Sequence, residues 1–141
     1  MRAVIDTNVL IAGLLWHGPP HALLAQVRDG TISLVSTPTL QAELADVLGR
    51  SKFDPILAGS HTSRERLLAE MRQLAEVIDP PPLPQPVCHD PDDDHLLALA
   101  LAAQVELIIS GDRDLLTLQQ FRGIPILDPV AALIRAGQAS K

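Results

Sequence analysis

Four acidic residues occupy positions from which they could share one site. Asp6 closes Ala3-Val4-Ile5, Glu43 interrupts an apolar helical stripe, Asp94 ends the run Asp92-Asp93-Asp94, and Asp112 follows Leu107-Ile108-Ile109. Two short buried-strand patterns that each run into an aspartate point to carboxylates at the carboxyl ends of neighbouring parallel strands. Carboxylates converging from separate elements suit a hard cation, Mg²⁺ or Mn²⁺, and the chemistry that accompanies such ions is phosphate chemistry.

Each acid also has a plainer reading. Asp6 in Asp6-Thr7-Asn8 and Asp112 in Ser110-Gly111-Asp112-Arg113-Asp114 could each cap a helix. In Asp90-Pro91-Asp92-Asp93-Asp94, Asp90 caps, Pro91 starts the helix, and acids in the first turn complement the dipole. Asp94 stands out because Leu97, Ala98 and Leu101 follow it at i+3, i+4 and i+7, so it begins the packed face; Asp93 and Asp92 stand behind it as supporting residues. Glu43 is harder to explain by capping. It fills the i+3 position of a stripe formed by Leu40, Leu44, Val47 and Leu48, and an unpaired carboxylate on an inward face costs several kcal/mol. Asp46 and Arg50 take the solvent face of the same helix. Four acids delivered to one sheet edge by four elements exceed what capping alone explains.

The elements that must position these acids alternate. Arg2 to Ile5, Leu34 to Ser36, Leu107 to Ile109 and Ile124 to Leu127 read as short buried strands, with helical patterns between them. Helices are expected over Asn8–Trp16 and His21–Arg28, separated by Gly18-Pro19-Pro20, and from Thr37-Pro38 onward with Thr37 as cap. Ser63 to Val77 reads as a charged amphipathic helix, and the proline-rich stretch at 79–86 as a stiff connector. This alternation predicts an α/β fold with a mostly parallel sheet covered on both faces.

With 141 residues the chain is expected to form one domain, spanning 1–141 and burying about two thirds of its unfolded surface. No apolar run reaches membrane-spanning length, and Asp6 interrupts the first apolar stretch too early for a secretory signal, so a cytoplasmic protein is expected. The single Cys88 excludes an internal disulfide. A net charge of -6 ordinarily argues against nucleic acid, but bound divalent ions would reverse the local field at an acidic site. The five histidines form no ligand pattern, since Gly18-Pro19-Pro20 prevents His17 and His21 from sharing a helix, and His89 and His95 only flank the aspartate run.

In this order and spacing, Ala3-Val4-Ile5-Asp6-Thr7-Asn8-Val9-Leu10, Ser36-Thr37-Pro38 through Glu43, Asp90-Pro91-Asp92-Asp93-Asp94 and Ser110-Gly111-Asp112-Arg113-Asp114-Leu115-Leu116 together resemble a PIN domain. The resemblance covers nearly the whole chain and is closest to bacterial toxin components of VapC-like toxin–antitoxin systems. It implies a three-layer α/β/α sandwich and a Mg²⁺- or Mn²⁺-dependent ribonuclease in which Asp6, Glu43, Asp94 and Asp112 hold the metal. Asn8 and Ser110 would be supporting polar residues, with Ser110 in place of a frequent Thr, and either Asp112 or Asp114 would face the metal. Expected partners are an RNA substrate, an antitoxin protein and a second copy in a homodimer. Arg50, Lys52, Arg113 and Arg122 are candidate phosphate contacts. A phosphatase with an aspartyl nucleophile wants an acid where this chain has Asn8, and a receiver domain wants paired acids after its first strand. The remaining alternative is a catalytically silent PIN-fold binding protein.

Overall fold

Every residue of β1 (Arg2–Ile5) except Arg2 is buried, and the strand lies at the centre of a six-stranded sheet in the order β3-β2-β1-β4-β6-β5. The computed structural model describes residues 1–139 of the chain. β2 (Ser33–Ser36) and β4 (Leu107–Ile109) flank β1, both parallel to it, in the registers Val4↔Val35 and Val4↔Ile108. β6 (Ile124–Leu127) adds in parallel beyond β4, and β5 (Gln120–Phe121) is the one antiparallel strand of the described sheet.

The helices between them are α1 (Thr7–Leu15), α2 (Pro19–Arg28), α3 (Pro38–Leu48), α4 (Asp54–Ala58), α5 (Arg64–Leu74), α6 (Pro91–Ala103), α7 (Arg113–Leu118) and α8 (Pro129–Ala139), with one 3₁₀ turn at Ser51–Phe53. The strands alternate in the direction of their side chains, as the pleat requires. Ala3, Ile5, Leu34, Leu107 and Ile109 join a core with α1, α2, α5 and α8, while Val4, Val35, Ile108 and Ile126 join a second core with α6 and Leu115 of α7. Two apolar layers on one mostly parallel sheet make the three-layer α/β/α sandwich. Among the described residues no helix is long and apolar enough to cross a membrane.

The helical reading of Ser63–Val77 is corrected at its end. α5 stops at Leu74, and Glu76–Val77 form β3, an edge strand paired in parallel with Val35–Ser36. The Ile78 N–H continues that ladder to the Ser36 carbonyl at 3.0 Å, and Arg2 holds Glu76 across the sheet at 2.6 Å. Sheet pairing and a cross-strand ion pair outweigh the propensity of one more helical turn. Pro19 and Pro20 open α2 rather than only separating it from α1, because the first helical positions need no N–H. The segment 79–86 has no regular secondary structure apart from a bend near its end.

Candidate metal centre

Strand order reverses between β1 and β4: the chain leaves β1 toward β2 on one side and later returns to β4 on the other. At such a switch point the loops beyond the carboxyl ends diverge and leave a crevice. Asp6 follows β1 there and Ser110-Gly111-Asp112 follow β4, with the Asp6 N–H bonded to the Ile109 carbonyl at 3.0 Å. α3 and α6 supply the other walls. The cavity between them measures about 110 Å³ and is lined by Asp6, Thr7, Asn8, Leu40, Glu43, Asp90, Asp92, Asp93, Leu96 and Asp112.

Four helices begin around this edge, and three of their four caps line the cavity. Asp6 accepts from the Val9 N–H at 2.9 Å as cap of α1, and Thr37 accepts from Leu40 at 3.0 Å as cap of α3. Asp90 accepts from Asp92 and Asp112 from Asp114, each at 2.9 Å, as caps of α6 and α7. Capping and cavity-lining are therefore the same act for Asp6, Asp90 and Asp112. The positive ends of the helices soften the charge that the acids concentrate.

Ser110 is fully buried and couples two of the acids. Its hydroxyl donates to Asp6 Oδ2 and accepts from the Asp112 N–H at 3.0 Å. Asp6 itself is 8% exposed. Burial pushes its carboxyl above the usual range, the Ser110 hydroxyl and the Val9 and Gly111 N–H groups pull it back, and the charge of Asp112 pushes it up again. Glu43 is raised first by burial and then by the charge of Asp92, against a hydrogen bond from the Thr7 side chain, with Asp6 and Asp90 adding to the rise.

Asp93 is the most perturbed of the cluster. It is 6% exposed, and its Oδ2 is buried without a hydrogen-bond partner. Burial first, then a hydrogen bond shared with Asp112, then the charges of Asp112, Asp90 and Asp114 push its carboxyl up to about 7. Asp93, Asp112 and Asp114 each offer an oxygen such that all three lie within 4.8 Å of one another. Crowded carboxylates with one orphaned, buried oxygen fit a hard divalent cation, which wants several oxygen donors and negative charge.

The structure brings Asp6, Glu43, Asp112, Asn8 and Asp92 to the cavity and turns Asp94 away from it. Asp94 Oδ1 accepts from Cys88 N–H at 2.8 Å, and both its oxygens lie 3.2 Å from the Val87 N–H, closing the end of the proline-rich connector. Its neighbour Asp93 faces the acids instead. The apolar spacing that singled out Asp94 fits Asp93 equally well, through Leu96, Leu97 and Ala100, because α6 is buried almost all round and has no unique packed face. The informative signal was Asp90, three residues before Asp93 and so on the same helical face. Thr7, whose side chain hydrogen-bonds Glu43, carries no signal of its own in the sequence. The basic candidates lie outside the cavity lining: Arg50 pairs with Asp46 at 3.8 Å, Lys52 lies over Phe53, Arg122 lies over Phe121, and Arg113 is exposed at the start of α7.

Residues 2–114 match the PIN domain family. The chain belongs to that family. No curated protein and no solved structure matches it. PIN domains are generally nucleases and typically use divalent metals, and the acid cluster of this PIN domain, with the orphaned oxygen of Asp93, sits at the switch point of its sheet.

Proposed function

We propose that the protein is a Mg²⁺- or Mn²⁺-dependent endoribonuclease and the toxin of a VapC-like toxin–antitoxin pair. The observation that carries the nuclease reading is the buried, partnerless Oδ2 of Asp93, set among carboxylates in a cavity open to a phosphate-sized group. Asp93, Asp112 and Asp114 would hold a divalent ion from one side, with Asp6 and Glu43 facing it from β1 and α3. When bound, the ion supplies a lowered pKa for water and neutralises charge on the phosphodiester. Ser110 keeps the Asp6 carboxylate oriented by its hydroxyl. Asn8, exposed at the cavity, offers an amide donor to a phosphate oxygen, while Leu40 and Leu96 give the cavity an apolar wall. The toxin assignment, with an antitoxin partner and a homodimer, rests on the resemblance of the four motifs.

Product ends test the chemistry. Water attacking in line and expelling the 3′ oxygen leaves a 5′-phosphate and a 3′-hydroxyl and needs no 2′-hydroxyl at the cleaved position. The other common route uses histidine to help the 2′-hydroxyl attack and leaves a cyclic phosphate. Here His95 Nε2 lies 2.8 Å from the Thr37 hydroxyl, and the His17 and His21 rings pack edge to face with centroids 5.1 Å apart. The expected result is 5′-phosphate ends formed only with Mg²⁺ or Mn²⁺. Cyclic phosphate ends that persist in EDTA would overturn it.

A further inference from the structure

The chain has one Trp, two Phe and no Tyr, and two of these three rings, Trp16 and Phe53, are in contact. Trp16, the C-cap of α1, is 47% exposed and packs against the edge of Phe53, with centroids 6.0 Å apart and planes at 67°. Phe53 is a buried core residue, so its position is explained by packing. Trp16 is not so explained, because nearly half of its surface remains in water.

One cation lies beside this ring pair: Lys52 Nζ is 5.1 Å from the centroid of Phe53, the ring against which Trp16 packs. The nearby acids are matched: Asp46 by Arg50 at 3.8 Å and Asp54 by Arg64 at 2.5 Å. Among the described residues Lys52 has no carboxylate in ion-pair range. The patch also connects to the acid cavity. α1 starts there with Thr7 and Asn8 and reaches Trp16 after nine helical residues, about 14 Å at the usual rise. α3 passes Glu43 and leads to Arg50 and Lys52, and α1 packs beside α3.

We propose that Trp16, with Lys52, forms a docking platform for the single-stranded RNA that flanks the cleaved phosphate, the indole stacking on a base and the ammonium holding the backbone. A half-exposed ring near the unpaired charge of Lys52 is the pairing that sequence-tolerant single-strand binding uses. A protein partner fits this patch less well, since the other exposed large apolar side chains, Val77, Val87, Val130 and Ile134, sit on β3, the connector and α8. The platform deepens the nuclease reading and rests on it for the direction in which the strand runs.

Because Trp16 is the sole tryptophan, its own fluorescence reports contact directly. The protein is titrated with a single-stranded oligouridylate at low ionic strength in EDTA, where nothing is cut. Saturable quenching of the indole emission is expected. By anisotropy of a labelled strand, Trp16→Ala and Lys52→Ala should each weaken binding about tenfold, with Trp16→Phe restoring part of the loss. Unchanged melting temperatures and unchanged Mn²⁺ binding in the variants would place the loss at the platform and not in the fold. Absent binding, binding without quenching, unaltered affinity in Trp16→Ala, or an emission change that follows only protein concentration, which marks a protein interface, would each overturn the platform. Quenching by RNA without cleavage in Mn²⁺ would keep the platform and sink the nuclease; cleavage without quenching would do the reverse.

Discussion

Asp93 and Asp94 are consecutive, chemically identical and assigned opposite tasks by one step of a helix. The oxygen of Asp93 without a partner gives it a role that only a cation or a proton completes. The oxygens of Asp94 are occupied by the Val87 and Cys88 N–H groups. An amide oxygen can still accept those bonds, so Asp94→Asn should retain activity and Mn²⁺ affinity within a fewfold, whereas Asp94→Ala should loosen the loop that delivers Asp90. Asp93→Asn keeps the shape and removes the charge. Its activity should fall by more than about 100-fold, beyond the range usual for losing a residue that only supports a ligand. Steady-state rates on a common RNA, with Mn²⁺ affinity read by electron paramagnetic resonance, separate the two residues. Equal loss in Asp93→Asn and Asp94→Asn would make Asp94 a ligand and sink the distinction.

At the scale of elements, the site depends on how α3 and α6 are held relative to each other, since one carries Glu43 and the other Asp92 and Asp93. The Thr37 hydroxyl caps α3 and also lies 2.8 Å from His95 Nε2 on α6, joining the two helices near the cavity. Thr37→Val should cost about 1–2 kcal/mol as a lost cap and also weaken Mn²⁺ binding. Ser63→Ala removes the equivalent cap of α5, which does not line the cavity, and should lower the melting temperature without touching Mn²⁺. Metal affinity unchanged in both variants would show that the Thr37–His95 contact does not set the spacing. The elements themselves were largely legible: β1, β2, β4 and β6, the Thr37 and Asp90 caps and the parallel sheet follow from short apolar runs, Pro positions and acids before helices. β3 was not legible, because a two-residue exposed strand exists only through pairing with β2. The inward residue of α6 was not legible either, because periodicity identifies a face only when the opposite face is polar, and Leu96 through Ala100 are all buried.

For the molecule as a whole, the acid cluster ties folding stability to pH and metal together. Burial and the neighbouring acids push the Asp93 carboxyl up to about 7 in the folded protein, against a reference of 3.8 when unfolded. Between those values the native state keeps a proton that the unfolded chain has released, so this group makes stability fall as pH rises from about 4 to about 7 and adds no slope beyond. Asp6 and Glu43, also raised, act in the same direction. A divalent ion takes the place of that proton and removes the penalty. In EDTA, melting temperature plotted against pH should therefore decline more steeply across this window for wild type than for Asp93→Asn, which has no proton to lose there. At pH 8 the neutral variant should melt higher than wild type in EDTA, because like charges no longer face each other. Mn²⁺ at a hundred times its dissociation constant should stabilise wild type by about 2.7 kcal/mol, raising its melting temperature on the order of 10 °C, and should raise the variant far less. Scanning calorimetry in EDTA and in Mn²⁺ reads all of these. Parallel pH profiles for the two proteins, together with equal responses to Mn²⁺, would mean that Asp93 neither holds the extra proton nor helps to hold the ion, and the metal centre would have to be sought elsewhere on the chain.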